Sequence, residues 1–365
     1  MFKKFKILKW IGVSLISIIV IVVCFVVWFV SLLPPINEAA ETTVVNDLPY
    51  LSENIIPTRG KILAVVTSTD TMGASDKKTG YELTELSRAY YVFEANGFEV
   101  DVASPLGGQP PVVIDDDDMS VFDFAFLNDS IAQEKIAHTI PIKDVIADNY
   151  QAIYFVGGKG AMFDFPNNTD IQAIVKNYYQ SNKVIGAVCH GPAALVNVTL
   201  DNGKSLLENK TISAFTNEEE LLLISDAKSI FPFLLQDEII AQGANFNEGI
   251  MYLENVSQDQ NLITGQNPWS TWLLAEQMIK QLGYAPKYRA VTAEENAISV
   301  LSIYYAQSKD EAKAMIENML LKEHKPVDRM LLAQHTIVSL MKSDIGSFFD
   351  ILGLVSYANA CESKK

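Results

Sequence analysis

The chain has 365 residues, 49% of them hydrophobic and 20% charged, enough for a main domain with a real core and an accessory one. Its net charge of −16 has the wrong sign for gripping phosphate, which argues against nucleic acid as a partner. Three cysteines, Cys24, Cys189 and Cys361, make no disulfide framework.

Ile11 to Leu33 carries no charge and exceeds the roughly 20 residues that span a bilayer. No convincing cleavage site stands near Leu33-Pro34-Pro35, so an uncleaved signal anchor is predicted within residues 1–36. Lys3, Lys4, Lys6 and Lys9 precede the span, and Glu38 and Glu41 follow it. That asymmetry predicts a single-pass membrane protein, with residues 11–33 in the lipid bilayer, the N-terminus cytoplasmic and the globular part outside. Residues 37–60 read as a polar linker.

From Lys61 the pattern changes to short buried runs alternating with helical spacing. Lys61–Thr67 reads as a first strand, and Tyr81–Asn96 as a helix stopped at Gly97. Glu99–Ala103 is a second strand, and Ala152–Val156 a third, closed by Gly157-Gly158-Lys159-Gly160. Ile171–Tyr179 has the spacing of an amphipathic helix, and Val184–Val188 that of a buried parallel strand. Thr211–Ala214, Met251–Glu254 and Leu262–Thr264 read as further strands, and Trp269–Leu282 as a closing helix. The succession predicts an α/β domain over residues 61–284, a doubly wound, mostly parallel, flavodoxin-like sheet sandwiched by helices. Residues 285–365 show only helical patterns and form a predicted helical extension. Asp115–Asp118, four carboxylates in a row, point apart and read as a solvated loop rather than a metal site.

Cys189 stands where the strand Val184–Val188 breaks into His190-Gly191-Pro192, a turn that exposes a side chain at the carboxyl end of a sheet. A following helix, read over Ala193–Val198, would turn its N-terminus toward the sulfur and favour the thiolate. The alternative is that Cys189 is a small buried hydrophobe. Glu85, Gly157-Gly158, Cys189-His190 and Glu218–Glu220 all fall near strand ends, where such sheets bind ligands. A cysteine, a histidine and a carboxylate have the makings of an activated nucleophile. No metal-ligand spacing stands out among four histidines.

These segments carry a resemblance. Thr79-Gly80 with Glu85, Gly97–Pro105, Gly157–Pro166, Ala187–Ala194, Phe215–Glu220 and Thr264–Pro268 resemble the ThiJ/PfpI superfamily of the class I glutamine-amidotransferase-like fold, in its glyoxalase III/chaperone-type branch. The resemblance covers about residues 60–284. It implies Cys189 as nucleophile, His190 as its histidine and Glu220 as the acidic partner, with Glu218 or Glu219 in that place if the register slips. It further implies Glu85 as a buried acid beside the sulfur and the N–H groups of Gly158 and His190 as an oxyanion hole. Lys159 departs from the pattern, since relatives usually carry histidine there, and this puts a substrate-contacting role for that side chain in doubt.

The implied activity is that of a lyase. It converts a small 2-oxoaldehyde such as methylglyoxal to a 2-hydroxy acid, with no metal, nicotinamide or glutathione. His190 or Glu85 would move the proton between the two carbons. A cysteine peptidase or amidase of the PfpI type is the alternative, or a non-enzymatic holdase or redox sensor. Relatives dimerise, which implies a homodimer here.

Overall fold

The computed structural model describes residues 2–35, 38–115 and 118–364, with side chains described from Leu15 onward. It divides into two compact units, Asn37–Ala290 and Met1–Ile36 with Val291–Lys365.

The first of these units is built on a seven-stranded sheet. Its strands are β1 (Gly60–Val65), β2 (Phe98–Ser104), β3 (Ile140–Pro141), β4 (Ala152–Phe155), β5 (Val184–Val188), β6 (Val256–Asp259) and β7 (Leu262–Gly265). They lie in the order β6-β7-β5-β4-β1-β2-β3, and only the β6–β7 pair is antiparallel. Alternation along β1 sorts the core into two layers: Ile62 and Ala64 pack on one face, Leu63 and Val65 on the other. Helices α2 (Leu83–Ala95), α3 (Val121–Asn128) and α6 (Thr271–Gln281) cover the first face. Helix α4 (Thr169–Gln180) covers the second, and α5 (Asn217–Leu223) follows β5 in the chain. The doubly wound, mostly parallel sheet is therefore present, and its strands β1, β4 and β5 end side by side under the site. Leu48 and Tyr50, in the stretch read as a linker, are buried in the same core.

The second unit contains α1 (Phe2–Val30), α7 (Ala293–Ala306), α8 (Lys309–Glu317), α9 (Arg329–Met341) and α10 (Ile345–Glu362). Thr292 caps α7 by accepting from the Glu295 N–H, while Glu295 accepts from the Thr292 N–H, the reciprocal box that the sequence carries. The buried Arg329 pairs with Glu362 at 3.0 Å and donates to Asn359 at 2.7 Å and to the Leu32 carbonyl.

The membrane anchor expected over residues 11–33 is overturned. Among the described residues, no helix is long and apolar enough to cross a membrane. The side chains described in α1 begin at Leu15, so its described apolar run ends at Val30, short of the roughly 20 residues a span needs. The single-pass topology, the lipid bilayer as partner and the extracytoplasmic placement all rested on that span and fall with it.

Two local readings also change. The segment Met251–Glu254 is a turn with Tyr252 at φ +54, and the strand lies just beyond it, at β6. Instead of a helix over 193–198, a five-residue 3-10 turn, Gly191–Leu195, follows the cysteine. So short a turn brings little helix dipole to the sulfur.

Candidate active site

Cys189 takes φ +58, an unfavourable conformation for a residue with a side chain, directly after β5. Its backbone is pinned on both sides: its N–H donates to Gly265 O at 2.9 Å, and its carbonyl accepts from Phe215 N–H at 2.9 Å. The kink turns the sulfur away from the sheet and into a cavity of about 430 Å³, at the carboxyl ends of β4 and β5.

His190 follows in helical geometry and is 1% exposed. Its Nδ1 stands 3.3 Å from Cys189 Sγ, and its Nε2 stands 2.6 Å from Glu220 Oε2. The Phe215 ring packs against the imidazole at 4.6 Å and fixes its plane. Of the three candidate carboxylates, Glu220 is the one that meets His190. Burial pushes its carboxyl up, but the charge and hydrogen bond of His190 outweigh burial and leave it below the usual range. Glu219 turns away, capping its own helix through Thr216 and accepting from Tyr252 N–H, Gln266 and Asn267. Glu218 is exposed.

Glu85 arrives from α2 and is wholly buried. Its Oε2 accepts from Gly157 N–H at 2.7 Å, while Oε1 has no partner among the described residues. Burial first, then the charge of Glu82, raises this carboxyl well above its ordinary value and favours its protonated form. Burial and the neighbouring Glu85 also push the Cys189 thiol up, with Lys159 pulling the other way. Glycine is required at 157, because a Cβ there would overlap Glu85 Oε2 and lie 2.8 Å from Cys189 Cβ. Gly158 adopts φ +94 on the cavity wall. Among the described residues neither the Gly158 nor the His190 N–H donates to another protein group, so both are free to meet a developing oxyanion.

The structure therefore gathers Cys189, His190, Glu85, Glu220 and Gly158 at one point. Sequence reading missed Glu82, which lines the same cavity and whose carboxyl burial pushes up to about 8. Its only signal was its place three residues before Glu85. It also missed Tyr252 and Trp269 on the cavity wall. The acidic run is not simply solvated: Asp115 and Asp118 line the cavity, while Asp116 and Asp117 lie outside the described residues. Among the described residues, no three His, Cys, Asp or Glu side chains converge to hold a metal ion.

Comparison with known proteins agrees with the architecture. A glutathione-independent glyoxalase of Saccharomyces cerevisiae is 33% identical over 231 residues, which make up 61% of this chain and 98% of the relative. Glyoxalase 3 of Candida albicans is 28% identical over 229 residues, 60% of this chain and 96% of the relative. Among solved structures, the rapid encystment protein of 24 kDa from Francisella tularensis shares 36% identity with a TM-score of 0.57, over 61% of this chain and 99% of that one. Glyoxalase III from Candida albicans gives 28% and 0.57, over 61% of this chain and 97% of that one. The profile of the DJ-1/PfpI family matches residues 77–281, and the chain belongs to that family, which is the ThiJ/PfpI group its motifs resemble.

Proposed function

We propose that this protein is a glutathione-independent glyoxalase, a lyase that turns a 2-oxoaldehyde such as methylglyoxal into a 2-hydroxy acid with Cys189 as nucleophile. The observation that carries the reading is the placement of one sulfur between a His190–Glu220 pair and the buried Glu85 carboxyl, beside one cavity. The names of the relatives at about 30% identity support it.

The chemistry follows from the geometry. His190 Nδ1 takes the thiol proton, and its Nε2–H donates to Glu220. The thiolate adds to the aldehyde carbon, and the Gly158 and His190 N–H groups receive the oxygen as it gains charge. Glu85 protonates that oxygen, giving a hemithioacetal and leaving a carboxylate. The carboxylate then removes the hydrogen on the same carbon and returns it to the neighbouring carbon through an enediol, while the hydroxyl proton passes from one oxygen to the other. The product is a thioester. Water splits it: hydroxide joins the acyl carbon, the remaining proton restores Glu85, and the departing thiolate recovers its proton from His190.

Full-length protein with methylglyoxal and no thiol cofactor is expected to release lactate, and Cys189→Ala to abolish it. Glu85→Gln keeps the acceptor for Gly157 N–H but cannot carry the proton, so kcat should fall by about 10²–10⁴ with KM little changed. Lactate formation unaffected by Cys189→Ala would sink the reading.

A further inference from the structure

Lys159 sits in the turn between Gly158 and Gly160, half-buried on the wall of the cavity that holds Cys189, His190, Glu82 and Glu85. The other cavity lysine, Lys78, is paired with Asp70 at 3.1 Å. Among the described residues, no carboxylate lies within ion-pair distance of Lys159. Its charge thus stands on the wall of the reactive cavity with no ion pair among the described residues, and the other charges there say what it is for.

Cys189 is faced by Glu85 from α2, Tyr154 from β4, Glu219 and Glu220 from α5, and Tyr252 from the turn before β6, with His190 next to it on its own turn. When the thiol passes its proton to His190, the site holds a thiolate, an imidazolium and the Glu220 carboxylate, a net negative charge in a largely buried place. Glu85 and Glu82 are neutral there, Tyr154 and Tyr252 stay protonated, and Glu219 is satisfied by its own donors. The 3-10 turn after the cysteine is too short to supply a compensating dipole. Asp115 and Asp118 on the same wall add to the negative charge, and Lys159 is the cation set against it, its field reaching Glu82, Glu85, Cys189 and Glu220 alike. We propose that Lys159 is the positioning charge that stabilises the Cys189 thiolate as it forms, so that this chain readies its nucleophile with a cation on the cavity wall.

The test reads the sulfur itself and rests on the glyoxalase reading only in its kinetic arm. Alkylation of Cys189 by iodoacetamide is followed by peptide mass spectrometry on the full chain across pH, which separates it from Cys24 and Cys361. Lys159→Met should raise the midpoint of the profile by about one pH unit and slow alkylation about tenfold at neutral pH. Lys159→Arg should keep the wild-type midpoint. Lys159→His should match wild type at acid pH and lose the effect above its ordinary pKa of about 6.5. Lactate formation should fall with the thiolate fraction. A Lys159→Met profile superimposable on wild type overturns the proposal, as does an equal shift in Met and Arg variants, which would reflect shape rather than charge. If the midpoint moves but the wild-type protein makes no lactate, the glyoxalase reading fails and this one stands.

Discussion

Glu82 and Glu85 leave the start of α2 three residues apart, on the side that faces the cavity. Two carboxylates so placed cannot both ionise cheaply, and burial favours the protonated form of both. Stability inherits this. The unfolded chain releases the Glu82 proton near 4.5, whereas the folded chain holds it to about 8. Between those values the folded state binds more protons, so stability is fullest below 4.5 and falls as pH rises through 8. Asp164 adds to the fall over a lower window, since burial raises it to about 6 despite hydrogen bonds from Thr67 and Ser68. The urea midpoint should therefore drop from acid to mildly alkaline pH, and the drop should be smaller in Glu82→Gln, with Glu85 and Asp164 supplying the remainder. Equal drops in both proteins would show that Glu82 titrates normally.

Among elements, α2 and α3 are joined by a buried pair that shapes the cavity from behind. Arg88 stands 3.1 Å from Asp123, is 2% exposed, and donates to the Asp118 carbonyl at 2.6 Å. Asp123 also accepts from Ser87, Ser120 N–H and the Ser120 hydroxyl. The pair thus closes the N-terminus of α3 and holds the end of the acidic loop, where Asp118 reaches the cavity. Asp123→Asn removes the carboxylate that Arg88 meets at 3.1 Å, and stability should fall by about 1–3 kcal/mol, read from urea unfolding. A loss below about 1 kcal/mol would mean that the Asp118 carbonyl and water suffice. This clamp also explains what the sequence could and could not reveal. The strand before Cys189 was legible because five consecutive buried residues meet small residues and a proline at once. Glu85 was legible because it follows Thr79-Gly80 in a motif of the family and falls in the first turn of the helix after β1. The cavity face of Asp115 and Asp118 was not, because a loop without periodicity takes its direction from Arg88, some thirty residues away in the chain. Nor was the turn at Tyr252, whose apolar run resembles a strand until Glu219 accepts its N–H. The apolar N-terminal run gave the opposite error, since hydropathy alone promised a span that the described helix does not supply.

At the scale of the whole molecule, every residue lining the cavity lies between Met72 and Trp269, inside the Asn37–Ala290 unit. That unit has its own two-layered core, one layer on each face of the sheet. The relatives point the same way: about 60% of this chain accounts for 96–98% of theirs, so they do without a counterpart of the helical unit. A domain with its own core, sheet and site should fold without further help. Residues 37–290 alone should accordingly melt in a single cooperative transition. They should keep kcat/KM for methylglyoxal within about twofold of the full chain, and the same alkylation midpoint at Cys189. Residues 1–36 and 291–365 would then serve something other than catalysis. A fragment that folds cooperatively but loses activity or moves that midpoint would instead make the helical unit part of what tunes the sulfur, and the separation of scaffold from appendage would fail.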